Sequence, residues 1–175
     1  MKFLIVDDDE RMILLLGKFL SEYAQCVTAH DGPRAIELFQ DGLDRADPFA
    51  AVFMDFMMPG INGVETGKIL RAREKAHGLD GPQSFKLFMV SGKCDMKIVS
   101  EAFFKCNAEA YLVKPFSRDD LRRLLVETKI IAKDAAGELT PSPWTNAEHV
   151  RGGAAPSDSP AGGNDSPRSP STESV

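Results

Sequence analysis

Five short apolar runs, each followed by a stretch with helical spacing, constrain this chain more than any other feature. The runs are residues 2–6, 26–30, 51–55, 85–90 and 110–113. The helical stretches are residues 12–23, a segment opened by Gly32-Pro33, residues 62–76, residues 95–106, and a segment capped by Ser117 that carries Leu121, Leu124, Leu125, Ile130 and Ile131. This alternation argues an α/β fold, a parallel five-stranded sheet covered by helices on both faces. Crossovers in such a sheet are right-handed, which limits how it winds. Ligands bind beyond the carboxyl ends of its strands, so residues far apart in sequence become neighbours there.

The central run, Ala51-Val52-Phe53-Met54-Asp55, delivers one carboxylate and is then broken by Pro59-Gly60 and Asn62-Gly63. An ionised carboxylate at the end of a buried strand is costly unless a cation, hydrogen bonds or a reaction compensates it. An Asp there can equally cap a turn, so the other strand ends decide its role. They carry Asp7-Asp8-Asp9, Ser91 and Lys114. Several carboxylates on one rim repel one another, and hard oxygen ligands with room for water suit Mg2+. One carboxylate can then act as nucleophile toward a phosphoryl group. A lysine can neutralise the transferring oxygens, and a hydroxyl can donate a hydrogen bond to one of them. Each residue alone has a plain reading as a cap or a surface charge. Together, at the ends of strands in one parallel sheet, they argue for a site.

A chain of 175 residues, 43% hydrophobic, builds one globular domain with length left over. A net charge of -5 gives no general attraction to nucleic acid or anionic lipid. No apolar segment reaches the length of a signal-peptide core or a bilayer span, so the expected location is the cytoplasm, with no membrane contact. Cys26, Cys94 and Cys106, and the scattered His30, His77 and His149, lack the spacing of a disulfide framework or a zinc site. Beyond about residue 134, Ser, Pro, Gly and Asp dominate, with Trp144 the one large anchor. The expected division is a domain over residues 1–133 and a disordered tail over residues 134–175.

The segments LIVDDDE, MDFMMPGINGVE, VSG and YLVKPF, in this order and spacing, resemble the receiver domain of bacterial two-component response regulators, of the single-domain, chemotaxis-regulator-like type. The resemblance covers residues 1 to about 133 and implies a doubly wound flavodoxin-like sheet of strand order 2-1-3-4-5. It implies that Asp55 accepts a phosphoryl group from a histidine kinase or histidine phosphotransfer protein. Asp8 would bind Mg2+ directly, Asp7 mainly through water, and the Met57 backbone carbonyl would complete the protein ligands, with Asp55 itself. Lys114 would pair with the phosphoryl group and Ser91 would hydrogen-bond it. Pro115 resembles the family's Lys-Pro step, whose peptide is often cis. Inward movement of Ser91 would vacate space for Tyr111, reshaping the face made by the fourth helix, fifth strand and fifth helix. Phe104 falls on the polar side of the fourth helix and is the candidate anchor for a downstream protein.

Some positions depart from that pattern. Gly92 stands where the family most often has Ala, which loosens the loop, and Ala110 stands where DNA-binding members that dimerise through this face often have an acid, which favours a monomer; the net charge of -5 argues against direct nucleic-acid contact. Apolar Met57 cannot orient an attacking water, so slow loss of phosphate is expected. The connection over residues 73–84 exceeds a minimal length and has no assigned role. The expected function is a stand-alone phosphoacceptor switch, not an enzyme beyond its own phosphorylation and dephosphorylation, serving chemotaxis or a phosphorelay. The competing readings are a haloacid-dehalogenase-type hydrolase, with Asp7 as nucleophile and Asp9 as acid/base, and an interaction module that is never phosphorylated.

Overall fold

The computed structural model describes residues 1–79, 81–92, 100, 104–133 and 139–141. Strands β1 (Lys2–Val6), β2 (Gln25–Ala29), β3 (Ala51–Asp55), β4 (Lys86–Ser91) and β5 (Ala110–Val113) form one sheet in the order β2-β1-β3-β4-β5. All four pairings are parallel. The order is the one the resemblance implies, and β3, at its centre, has all five residues buried. A strand apolar on both faces needs a covering layer on each side.

Helices α1 (Glu10–Leu20), α2 (Gly32–Asp44), α3 (Gly63–Ala76) and α5 (Arg118–Glu127) supply those layers, together with helical backbone at residues 100 and 104–106, labelled α4. Their starts follow capping chemistry. Asp9 accepts from the Arg11 amide at 2.9 Å and Asp31 from the Arg34 amide at 2.7 Å. Asn62 with Glu65, and Ser117 with Asp120, form reciprocal capping boxes. Each cap satisfies amides that the first helical turn leaves without partners.

Side chains alternate across the sheet, so successive residues of one strand enter different cores. Leu4, Val6, Val52, Met54, Leu87 and Met89 pack with α2 and α3. Phe3, Ile5, Phe53, Phe88 and Val90 pack with α1 and α5. On the second face the Phe3 and Phe53 rings meet edge-on at 5.7 Å, and those of Phe53 and Phe88 stack at 4.9 Å. A one-residue slip of β3 would carry Phe53 to the wrong face, so the pattern holds the register.

The long connection before β4 has a structural role. Glu74, 4% exposed, accepts from the Phe85 amide and the Ser84 hydroxyl, each at 2.6 Å. Arg71 stacks over the Phe85 ring at 4.0 Å and donates to the carbonyls of Phe85 (2.6 Å), Cys106 (3.1 Å) and Asn107 (2.8 Å). It therefore clamps the end of α4 and the start of β4 to α3.

The C-terminal end differs from expectation. The last helix was expected to carry Ile130 and Ile131, but α5 ends at Glu127 and Lys129 adopts φ 59°. This reversal turns Ile130 and Ile131 into the α1/α5 core instead of along the helix. Residues Ile131–Lys133 (β6) then pair antiparallel with Leu139–Pro141 (β7). Leu139–Pro141 falls within the expected tail over residues 134–175, and its pairing rests on backbone groups, not on a side-chain pattern. The rest of that tail, including Trp144, lies outside the described residues, as do Lys93 and Cys94. Among the described residues no helix is long and apolar enough to cross a membrane.

Candidate functional site

Pairing of Val6 with Met54 in the β1–β3 ladder brings the next residues, Asp7 and Asp55, to one end of the sheet. On the other side of β3, Ser91 closes β4, and the Lys114 amide donates to the Ser91 carbonyl at 2.8 Å just past β5. Asp7, Asp55 and Ser91 are 1%, 6% and 2% exposed. The Lys114–Pro115 peptide is cis.

The Lys114 ammonium lies between the two acids, 2.6 Å from Asp7 Oδ2 and 2.6 Å from Asp55 Oδ1. The remaining oxygens are also engaged. Asp7 Oδ1 accepts from the Asp9 amide at 2.9 Å, and Asp55 Oδ2 from the Met57 amide at 2.6 Å. Burial pushes the Asp55 carboxyl above the usual range and the charge of Asp7 adds to this, against the pull of Lys114 and the Met57 amide. Burial alone would lower the Lys114 ammonium, but its hydrogen bonds to Asp55 and Asp7 and their charges raise it above its ordinary value. The centre therefore holds two buried carboxylates against one ammonium, and it attracts further positive charge.

The structure places Asp7, Asp55, Lys114 and Ser91 at one end of the sheet, whereas Asp8 lies on the exposed side of the rim. Among the described residues no three His, Cys, Asp or Glu side chains are arranged to hold a metal ion. The gap between Asp7 and Asp55 is filled by Lys114, so a divalent ion would compete with its ammonium. The donors themselves, all hard oxygens with Asp8 reachable from solvent, fit Mg2+. Tyr111 is half-buried in β5, opposite Met89 of β4, and packs against the α2/α3 core. Phe104 is 86% exposed.

Two contributors were not singled out in the sequence. Gly63 opens α3 directly against the acceptor strand, and a Cβ there would stand 2.1 Å from the Asp55 carbonyl oxygen. Its signal was present in the Asn62-Gly63 step, but only as a turn. Arg71 gave no signal, because an Arg in an amphipathic helix reads as surface until its carbonyl partners are placed.

Residues 3–126 match the response regulator receiver domain family. The transcriptional regulatory protein CpxR of Escherichia coli strain K12 is 30% identical over 121 residues, which cover 69% of this chain and 45% of CpxR. The chain spans about half the length of the curated relatives it matches. Among solved structures, the Vibrio cholerae chemotaxis protein CheY4 aligns with a TM-score of 0.60 at 24% identity, over 71% of this chain and 94% of that one. The CheX-CheY-BeF3-Mg complex from Borrelia burgdorferi aligns with a TM-score of 0.60 at 22% identity, over 71% and 87%. These two likenesses speak to the fold alone. With most of its length matched and its sheet wound in this order, the chain belongs to the response regulator receiver domain family, a family of signalling phosphoacceptors.

Proposed function

We propose that Asp55 accepts a phosphoryl group from a phosphohistidine on a histidine kinase or phosphotransfer protein, and that the chain acts as a switch on a downstream protein. The observation that carries this reading is the Lys114 ammonium seated between Asp7 and Asp55 at the carboxyl ends of β1 and β3. In the transfer an Asp55 oxygen bonds to phosphorus, the phosphorus–nitrogen bond of the donor breaks, and the released imidazole nitrogen takes a proton from water. Lys114 lies within reach of the oxygens that carry charge in this step. Ser91, at the adjacent strand end, donates its hydroxyl to the transferred group. Asp7, Asp8, Asp55 and the Met57 carbonyl would hold Mg2+, which when bound supplies positive charge that offsets the developing negative charge on the phosphoryl oxygens.

The hydrolase reading is less well supported. Asp7 has both oxygens engaged, and Asp9 caps α1 instead of facing the centre. Downstream, Ser91 and Tyr111 act as the paired switch, and the face of α4, β5 and α5 with exposed Phe104 meets the protein target. The chain works as a monomer in the cytoplasm, in chemotaxis or in a phosphorelay. Intact-mass spectrometry after incubation with acetyl phosphate and Mg2+ tests the acceptor. The wild type gains one phosphoryl group and Asp55→Asn gains none, and a label on the Asn variant or on Asp7 overturns the assignment.

A further inference from the structure

We propose that a cleft at the amino ends of β1 and β3, at the far end of the sheet from Asp55, binds a small amphipathic carboxylate. The cleft has a volume of about 430 Å3, within the range of small-molecule sites. Met1, Pro48 and Leu79 give it apolar walls, and Lys2, Asp47 and Phe49 complete the lining that the argument uses.

Among the lining side chains, the cation is Lys2. The Lys2 side chain is 14% exposed, its ammonium lies 4.5 Å from the Phe49 ring centroid, and it pairs with Asp47 Oδ2 at 2.6 Å. A lysine whose side chain is largely covered while its ammonium contact stays open to solvent can exchange one anion for another. Asp47, by contrast, is 68% exposed, so it remains well solvated when it turns away and holds the lysine weakly. A ligand carboxylate can take its place, with the attached apolar body against Met1, Pro48 and Leu79. A neutral ligand would leave the lysine pair as it stands, and a cationic one would meet Lys2.

The walls are set before any ligand arrives. Phe49 stacks on Phe39 at 6.1 Å, and Phe39 meets Phe85 edge-on at 4.9 Å. The Asp47 amide donates to the Gly42 carbonyl at 2.9 Å, which ties the Asp47-Pro48 turn to the end of α2. The Leu79 amide donates to the Glu74 carbonyl at 3.2 Å, which ties Leu79 to the end of α3. Preformed walls limit the ordering that binding requires.

The test is an amide-resolved NMR titration of the full chain with phenylacetate, with phenylacetamide as the uncharged control. Phenylacetate is expected to shift Lys2, Ala50 and Leu79 saturably, while Asp7 and Asp55 stay unmoved. Lys2→Met, which keeps the apolar stem, is expected to weaken binding about tenfold or more. Asp47→Asn removes the internal competitor and is expected to tighten binding by roughly two- to fivefold. The proposal is overturned by no saturable shift in the wild type, by equal affinity for phenylacetamide, by shifts centred on Asp55, by Lys2→Met binding as tightly as the wild type, or by weaker binding in Asp47→Asn.

Discussion

Gly63→Ala is the substitution for which opposing effects can be weighed most closely. Alanine in place of glycine at the start of α3 would ordinarily stabilise the helix by about 0.5–1 kcal/mol, through lower backbone entropy in the unfolded chain. Here the added Cβ would stand 2.1 Å from the Asp55 carbonyl oxygen and 3.0 Å from Met54 Cγ and Met89 Cε. The methionine side chains can give way, but the carbonyl is backbone in the central strand and cannot. Relief requires α3 and β3 to part by roughly 1 Å, in an interior packed about as densely as an organic crystal. Overpacking of this kind costs about 1–3 kcal/mol. The same movement loosens the 3.1 Å bond from the Gly63 amide to the Phe56 carbonyl, a further contribution of about 1 kcal/mol. The clash wins, and a net loss of about 2 kcal/mol is expected. For a domain of this size that lowers Tm by roughly 8 °C. Urea denaturation of wild type and variant measures it, with acetyl phosphate labelling of Asp55 as a second readout of the displaced strand end. A variant within about 0.5 kcal/mol of wild type would refute the claim that α3 is pressed against the acceptor strand.

Gly92→Ala is the contrasting case: among the described residues an added Cβ there meets no atom within 4 Å, so stability is expected to stay level or rise by about 0.4–1 kcal/mol in the same urea assay. Because burial raises the Asp55 carboxyl in the folded protein, its favourable contribution is present below the unfolded pKa and is lost as pH rises through the folded value. Asp55→Asn is therefore expected to be the more stable protein at neutral pH, with the difference shrinking toward about pH 4, and a pH-independent difference in thermal melts would contradict this. Arg71→Met leaves Glu74 buried without its cation and is expected to cost about 3–5 kcal/mol; a loss under about 1 kcal/mol would show the clamp to be incidental. Met57→Asn is expected to speed loss of the phosphoryl group, as followed by intact mass over time, and equal decay would remove the role assigned to the apolar side chain.

The sheet was legible because its strands are short, apolar and ended by turn residues, and because the helix starts at Asn62 and Ser117 carry capping signals. The convergence of Asp7, Asp55, Ser91 and Lys114 followed from topology once the strands were known to be parallel. What escaped depends on contacts without local periodicity. The reversal at Lys129 and the β6–β7 pairing involve backbone conformation and hydrogen bonding, to which side-chain patterns are blind. The Arg71 clamp joins three elements through carbonyl groups, and every residue type has a carbonyl. Which of the consecutive acids Asp7 and Asp8 turns inward is likewise set by the seating of Lys114 between Asp7 and Asp55, a contact across 107 residues of chain.

The two faces of the sheet also differ mechanically. On the α1/α5 side Phe3, Phe53 and Phe88 form a row of contacting rings, and flat rings with two torsions each deform little. On the α2/α3 side Met54, Met58 and Met89 occupy the layer beneath the acceptor, and thioether chains repack at low cost. A disturbance at Asp55 is therefore absorbed unequally. The thioether layer next to Asp55, which borders Tyr111, is the more compliant side of the acceptor, while the contacting Phe39, Phe49 and Phe85 rings of the same core lie toward the far end of the sheet.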